Sequence, residues 1–300
     1  MTATTPPSYL TGLIGAGIGP SLSPELHERE ADRHGLRLLY RTIDLGTLPG
    51  TGAEEAAPEL LRAARMVGFD GLNITHPCKQ SVLGHLDELA PEAAEVGAVN
   101  TVVFRAGRSV GHNTDVTGFA QSFTAGLPGA PLHRVVQLGA GGAGAAVSHA
   151  LLGLGAGRLT LVDTDPVRAE RLAAALNRRF GQGRVTAADP AGTARELAHA
   201  DGLVHATPVG MAASPGLPLP AESVRPDLWV AEVVYRPLET ELLREARRRG
   251  CRTLDGGGMA AFQAADAFRL FTGLEPHTDR MLEDLAALVG VVGASALRGP

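Results

Sequence analysis

Lysine is almost missing from this chain of 300 residues: 26 of its 27 basic residues are arginine, and the one lysine is Lys79. Cysteine is nearly as scarce. Cys78 and Cys251 stand far apart, without the spacing of a zinc or redox motif, which excludes a disulfide framework and fits a reducing compartment. No apolar run approaches the ~20 residues needed to cross a bilayer. The first residues, Met1 to Ser8, lack the basic start and apolar stretch of a secretory signal. The expected location is therefore the cytoplasm, with no membrane partner. An excess of positive charge is lacking too. A net charge of -5 and a pI near 6.1 argue against a nucleic-acid partner, because affinity for phosphate backbones comes from clustered Lys and Arg. The one basic run, Arg247-Arg248-Arg249, ends a helical stretch before Gly250 and reads as a solvated face that complements the helix dipole.

What the chain does contain is ordinary for a globular protein: 44% hydrophobic and 20% charged residues. Its length exceeds what a single core usually holds, so two domains flanking a cleft are expected. Strand-like runs at Tyr9 to Ile14, Leu38 to Ile43 and Gly71 to Thr75 alternate with helical stretches around Glu25 to His34 and Glu54 to Met66. After Gly71 to Thr75 a turn at His76-Pro77 and a short helix are expected. Ala98 to Phe104 and Ser109 to Gly111 flank Ala106-Gly107, a hairpin signal. Near Thr117 a helix leads into the loop Gly126 to Pro131, and the alternation restarts with Val135 to Leu138, Leu159 to Asp163, Val185 to Ala187, Leu203 to Ala206 and Trp229 to Tyr235. Helical patterns at about Met259 to Thr272 and Asp279 to Val289 close the chain. This is the pattern of α/β architecture with a mostly parallel sheet in each half. The expected division is residues 1-116, completed by 259-300, against 117-258.

In the second half, Gly139-Ala140-Gly141-Gly142-Ala143-Gly144 fits G-x-G-x-x-G. Alone the pattern is weak in a chain with 38 glycines. Its context is the specific part: an apolar strand before it, a helix from Ala145 to Leu152 after it, and an acid, Asp163, ending the next strand at about the ~20-residue spacing of a dinucleotide fold. The glycines permit a tight turn, close approach of backbone N–H groups to a pyrophosphate, and close helix packing. A merely structural glycine turn is the alternative. Asp163 would accept hydrogen bonds from both ribose hydroxyls of NAD and repel a 2′-phosphate, so NAD is expected over NADP. Arg168, a few residues on, could pair with that phosphate and leaves NADP possible, while Asp165 before Pro166 reads as a helix N-cap.

In the first half, the lone lysine sits in Asn73-Ile-Thr-His-Pro-Cys-Lys79. Where charge alone suffices this chain uses arginine, and a retained lysine points to chemistry a guanidinium cannot perform, since only the ammonium deprotonates readily. A chance survivor or a salt-bridge partner is the plain alternative. Asp115 in His112-Asn-Thr-Asp115 is the candidate partner, although Asn-Thr-Asp before a helix is also a good capping sequence. Asn100 could offer a bidentate amide to a polyol, and Ser21 and Ser23, two apart, would aim both hydroxyls to one side of an extended segment. His76 and His112 suggest a metal, but no carboxylate or cysteine cluster completes a ligand set, so none is expected.

Taken together and in order, Ser21-Leu-Ser-Pro, Gly71-Leu-Asn-Ile-Thr-His-Pro-Cys-Lys, Gly97-Ala-Val-Asn-Thr, Asn113-Thr-Asp115, the glycine loop, Ala206-Thr-Pro-Val-Gly-Met211 and Met259 with Gln263 resemble the shikimate dehydrogenase family from about Leu10 to Thr272. The resemblance implies an N-terminal substrate domain and a C-terminal Rossmann domain. It implies that Ser21, Ser23, Thr75, Asn100, Gln263 and Tyr235 hold a substrate's hydroxyls and carboxylate, and that Lys79 and Asp115 perform the proton chemistry. For the dinucleotide it implies Thr207, Pro208, Met211, Val233, Gly256 and Met259 alongside the glycine loop. The sequence Thr-His-Pro-Cys-Lys-Gln, together with Asp163 and Asp255, looks most like the NAD-using quinate/shikimate branch. Two departures stand out: Cys78 where relatives carry a larger side chain, which would enlarge a pocket, and His205 where Asn is usual. The implied activity is reversible oxidation of shikimate, or quinate, by a monomer or homodimer. The alternatives are a non-catalytic regulator that binds NAD and a shikimate-like acid, and a dehydrogenase for aminated analogues.

Overall fold

The computed structural model describes residues 6–47 and 53–296. Residues 1–5 of the polar start and 297–300 of the expected C-terminal extension lie outside the described residues. In chain order the elements begin with β1 (Ser8–Gly15), α1 (Ser23–Arg33), β2 (Arg37–Asp44), α2 (Ala53–Met66), β3 (Gly71–Ile74), β4 (Glu88–Leu89), α3 (Pro91–Val96), β5 (Thr101–Arg105) and β6 (Arg108–His112). They continue with α4 (Thr114–Gly126), β7 (Arg134–Leu138), α5 (Gly142–Gly153), β8 (Arg158–Val162), α6 (Pro166–Phe180), β9 (Val185–Ala188), α7 (Thr193–Leu197), β10 (Gly202–His205), β11 (Trp229–Glu232), α8 (Glu241–Arg248) and β12 (Arg252–Leu254). Two helices, α9 (Gly256–Thr272) and α10 (Thr278–Ala296), end the chain. Among the described residues no helix is long and apolar enough to cross a membrane.

The chain divides into two compact units. One takes the chain through Thr114 together with Ala261–Leu285; the other takes Asp115–Ala260 and the chain from Ala286. Near the start of α10, Asp284 pairs with Arg29 and Arg33 of α1, which ties that part of the helix to the first unit.

The first unit holds a six-stranded sheet in the order β2-β1-β3-β5-β6-β4. β1 pairs in parallel with β2 and β3, and β4 with β6, while β5 runs antiparallel to β3 and β6. The β5–β6 hairpin turns at Ala106 and Gly107, whose φ values of 49° and 75° match the right-handed twist of the strands it joins. Gly71 on β3 lets Phe271 of α9 lie against the strand: a Cβ there would come within 2.4 Å of the ring. Cys78 packs in this unit's core beside Ile74, Val82 and Val99, so its small side chain serves packing there.

The second unit holds a six-stranded sheet, wholly parallel, in the order β12-β11-β10-β7-β8-β9. Strands β7, β8, β10 and β11 are buried almost end to end, as in sheets covered on both faces by helices. The order reverses between β7 and β10, which is the doubly wound arrangement. Asp165 caps α6 by accepting from the Arg168 N–H, with Pro166 in the first turn, as its sequence position predicts. Arg247, Arg248 and Arg249 pair with Glu239 and Glu245, so the basic run is spent on neighbouring carboxylates.

Several boundaries differ from expectation. β4 and β12 are too short for a period to register in the sequence. The strand expected through Tyr235 ends at Glu232, where the Glu232 carboxylate, not the next strand, accepts the Val234 N–H. The segment after His76-Pro77 is a turn followed by a short 3-10 helix at Leu83–His85, and α5 begins at Gly142.

Two buried ionisable groups anchor the first unit. The Glu30 carboxylate on α1 accepts from the His277 backbone N–H at 2.6 Å and the Arg33 guanidinium at 2.9 Å, and His34 and His277 bond to its Oε1 at 3.0 and 2.9 Å. Burial pulls its pKa up, but these hydrogen bonds prevail and hold it below the usual carboxylate range. The ligand-type atoms of Glu30, His34 and His277 all lie within 4.8 Å of one another. With Arg33 on the second carboxylate oxygen, the cluster works as a clasp between α1 and the start of α10.

His27 is the second group. It is buried against the rings of Tyr40 and Phe271, with Nδ1 bonded to the Ser23 carbonyl and Nε2 unpartnered. Burial lowers its pKa to about 4 against opposing contributions from Ser23 and Glu30. The unfolded chain therefore binds this proton between pH 6.5 and about 4 while the folded chain does not. Stability is full above pH 6.5 and falls across that window by about 3 kcal/mol. Urea unfolding at a series of pH values should show a shallower acid loss in His27→Gln than in the wild type.

Candidate functional site

In the second unit, the carboxyl end of β7 opens directly into the glycine loop. Gly139 adopts φ 99° and its N–H bonds to the Val162 carbonyl at 2.8 Å, drawing the loop across β8. A Cβ on Gly144 would stand 2.2 Å from the Gly139 carbonyl oxygen, so only glycine allows α5 to start this close to the strand. Gly141 differs: a Cβ there meets nothing within 4 Å. That open face, at the N-terminus of the twelve-residue helix α5, is a cradle of backbone amides suited to an anionic pyrophosphate.

Asp163, buried just past β8, accepts the Ala140 N–H at 2.7 Å and the Asp165 N–H at 2.9 Å. Arg168 reaches within 3.5 Å of Asp163 and 3.6 Å of Asp165. On the other side of the strand-order reversal, Thr207 follows β10, and its methyl lies against Gly139. Gly256 packs on the Val233 carbonyl, where a Cβ would come within 2.3 Å, and Asp255 accepts the Gly257 N–H to start α9. The glycine loop, Asp163, Thr207, Val233 and Gly256 thus gather at the carboxyl ends of β7, β8, β10 and β11. Arg168 stands in the first turn of α6. Pro208 and Met211 are exposed on the loop after β10, whereas Met259 is buried in this unit's core. Tyr235 is half-buried on the loop after β11; burial pushes its phenol up, with Arg236 opposing, and keeps it a neutral donor.

In the first unit, Asn100 is the hub. Its Oδ1 accepts the Thr114 N–H at 2.8 Å and its Nδ2 donates to Thr114 Oγ1 at 2.9 Å, while Thr114 Oγ1 also reaches Gln263 Oε1 at 3.5 Å. The Val99 N–H, one residue before, bonds to the Lys79 carbonyl at 2.8 Å. Asn100 therefore links the half-buried turn carrying Lys79 to the start of α4, where buried Asp115 follows Thr114. Ser21 and Ser23 lie with their hydroxyls 3.2 Å apart, because Ser23 opens α1 and not because the segment is extended. The loop before them is held by Asp44, which accepts the N–H groups of Gly17, Ile18 and Gly46. Burial raises the Asp44 pKa, and these backbone donors outweigh that and bring it below the usual range. Thr75 packs on Gly15 at the end of β1, where a Cβ would meet its methyl at 2.3 Å. His112 is bonded to Glu92 at 3.1 Å.

Comparison with known proteins agrees with both halves. The sequence profile of the shikimate dehydrogenase substrate binding domain matches residues 13–102. The shikimate dehydrogenase (NADP(+)) of Streptomyces avermitilis is 70% identical over 286 residues, spanning 95% of this chain and 98% of the relative. The chain belongs to the shikimate dehydrogenase family. A second member, the quinate/shikimate dehydrogenase (NAD(+)) of Corynebacterium efficiens, is 52% identical over 91% of this chain and 96% of its own length. The solved quinate dehydrogenase from Corynebacterium glutamicum in complex with NAD superposes with a TM-score of 0.88 at 49% identity, covering 93% of this chain and 99% of that one. As in other dehydrogenases of this shikimate family, the doubly wound unit is suited to NAD(P).

Sequence reasoning missed the groups that brace the loop from behind. Gln137 on β7 donates to the carbonyls of Gly139 and Gly144, each at 2.8 Å, and Ser148 of α5 donates to both Gln137 and the Gly144 carbonyl. A polar residue in an otherwise apolar strand was the available signal, since such a group is buried only when hydrogen-bonded. Gly144→Ala should lower stability by about 1–3 kcal/mol through overpacking against backbone, while Gly141→Ala should leave the melting temperature close to wild type. Thermal melts of the two variants check the contrast.

Proposed function

We propose that this chain catalyses the reversible NAD(P)-dependent oxidation of the C3 hydroxyl of shikimate to 3-dehydroshikimate, and that it also oxidises quinate to 3-dehydroquinate. The observation that carries this reading is the Asn100 hub, which ties the turn of the only lysine to the first residues of α4 in a chain 70% identical to a shikimate dehydrogenase. The bound dinucleotide supplies the hydride chemistry. Lys79 takes the hydroxyl proton during oxidation and, in reduction, its ammonium stabilises the developing alkoxide. Asp115 positions the lysine and tunes its charge. Ser21, Ser23, Thr75, Asn100, Gln263 and Tyr235 hold the ring hydroxyls and carboxylate, and the chain works in the cytoplasm as a monomer or homodimer.

For the dinucleotide, NAD is preferred and NADP is also accepted. The Asp163 carboxylate supports the preference, because a 2′-phosphate beside it meets like charge. Arg168, 3.5 Å away, and the NADP(+) name of the 70% identical relative favour tolerance of the phosphate.

Steady-state assays crossing shikimate and quinate with NAD and NADP test the whole reading; no turnover with either acid would refute it. Lys79→Met should reduce kcat by about 10²–10⁴-fold with shikimate still bound in a calorimetric titration. Near wild-type turnover in that variant would remove the lysine from the chemistry. Asp163→Ser should raise kcat/KM with NADP relative to NAD, and an unchanged ratio would relieve Asp163 of the discrimination.

A further inference from the structure

A buried relay runs from Glu232 through His205 to Thr207. His205 ends β10 and Glu232 ends the neighbouring strand β11, paired in parallel register, and both side chains are wholly buried. His205 Nδ1 bonds to the Glu232 carboxylate at 2.9 and 3.0 Å, and its Nε2 faces Thr207 Oγ1 within hydrogen-bond distance. The carboxylate has two further donors: the Val234 N–H at 3.0 Å and the Thr240 hydroxyl at 3.1 Å. Thr240 Oγ1 in turn accepts the Leu243 N–H and caps α8, so its own proton is directed at Glu232. An ionised carboxylate only accepts. A ring proton therefore belongs on Nδ1, facing the carboxylate, and in the neutral ring Nε2 is then the acceptor. Thr207 then donates its hydroxyl proton inward to Nε2, and its lone pairs are turned away from the relay, one of them towards the Val209 N–H at 3.3 Å.

Thr207 stands where this polarity matters. Its methyl faces Gly139 at the strand-order reversal, 3.1 Å from where a Cβ on that glycine would stand. In a doubly wound sheet the two nucleoside halves of a dinucleotide lie on opposite sides of that reversal. Asp163 marks the adenosine half after β8, so the loop after β10 serves the nicotinamide half. We infer that Glu232 and His205 are positioning residues that fix the Thr207 hydroxyl as a hydrogen-bond acceptor for the N–H₂ group of the nicotinamide carboxamide. The two ring nitrogens of His205, on opposite sides of one rigid ring, bond Glu232 and Thr207 at once. The inference rests on the reading that the chain binds a nicotinamide dinucleotide.

The test is a binding comparison that needs no turnover. NAD and its 3-acetylpyridine analogue, which replaces the carboxamide N–H₂ by a methyl group, are titrated calorimetrically into wild type, Thr207→Val and His205→Asn. Wild type should bind NAD about tenfold more tightly than the analogue, the worth of one hydrogen bond. In both variants that ratio should fall towards one, because the acceptor is removed in the first and released in the second. A merely structural role for His205 would lower the melting temperature and leave the ratio intact, which overturns the inference. Nitrogen-15 NMR of the histidine rings gives the second readout: His205 should carry its proton on Nδ1 alone, and a proton on Nε2 overturns the assignment. Thr207→Val is a single change on a half-exposed loop residue and keeps the test open should His205→Asn fold poorly. Wild-type protein that discriminates between the two dinucleotides but turns over neither acid would refute the proposed activity and leave this relay standing.

Discussion

The second unit depends on one close approach, the start of α5 lying on the carbonyl of Gly139 with no room for a methyl group at Gly144. A backbone brought that near must have its polar groups satisfied from inside, and Gln137 does so from the strand below while Ser148 does so from the helix. The same approach leaves the outer face at Gly141 open and aligns the first amides of α5 in one direction. Asp163 then fastens the far side of the loop through the Ala140 N–H. The open face of backbone amides at Gly141 is the outward side of a tightly packed joint.

In the first unit a side-chain amide has the corresponding role. Asn100 bonds both through its carbonyl and through its amine to the first residue of α4, and its neighbour Val99 is held by the turn of Lys79. This planar group, 3% exposed in the middle of a polar cluster, fixes the start of α4 on the segment that ends α3 and opens β5. A residue so engaged is a rigid fixture, and rigidity is what the proposed acid–base pair needs from its surroundings.

Much of this was readable beforehand because it lies in local signals. The glycine loop, the acid after the following strand, the Asp165-Pro166 cap and the Ala106-Gly107 hairpin each depend on neighbours within a few positions. The lysine stood out by composition alone. What escaped was set by tertiary pairing: the two-residue β4, the early end of β11 at Glu232, and the Gln137 brace, none of which has a period to detect. The clasp of Glu30, His34 and His277 was beyond reach for the same reason, since its third member arrives 247 residues after the first. At His205 the same holds, since Glu232 and Thr207 reach either side of the ring only in the folded sheet.

That clasp also bears on the order in which the chain matures during synthesis. The first unit takes β1 from one end of the chain and Ala261–Leu285 from the other, whereas the whole sheet of the second unit, β7 to β12, falls within the unbroken stretch Asp115–Ala260. A ribosome releasing the chain vectorially therefore exposes everything in that unbroken stretch before His277 exists to close over Glu30. Until then the Glu30 carboxylate lacks its partners from the far end, and the first unit cannot be complete before the start of α10 has been made.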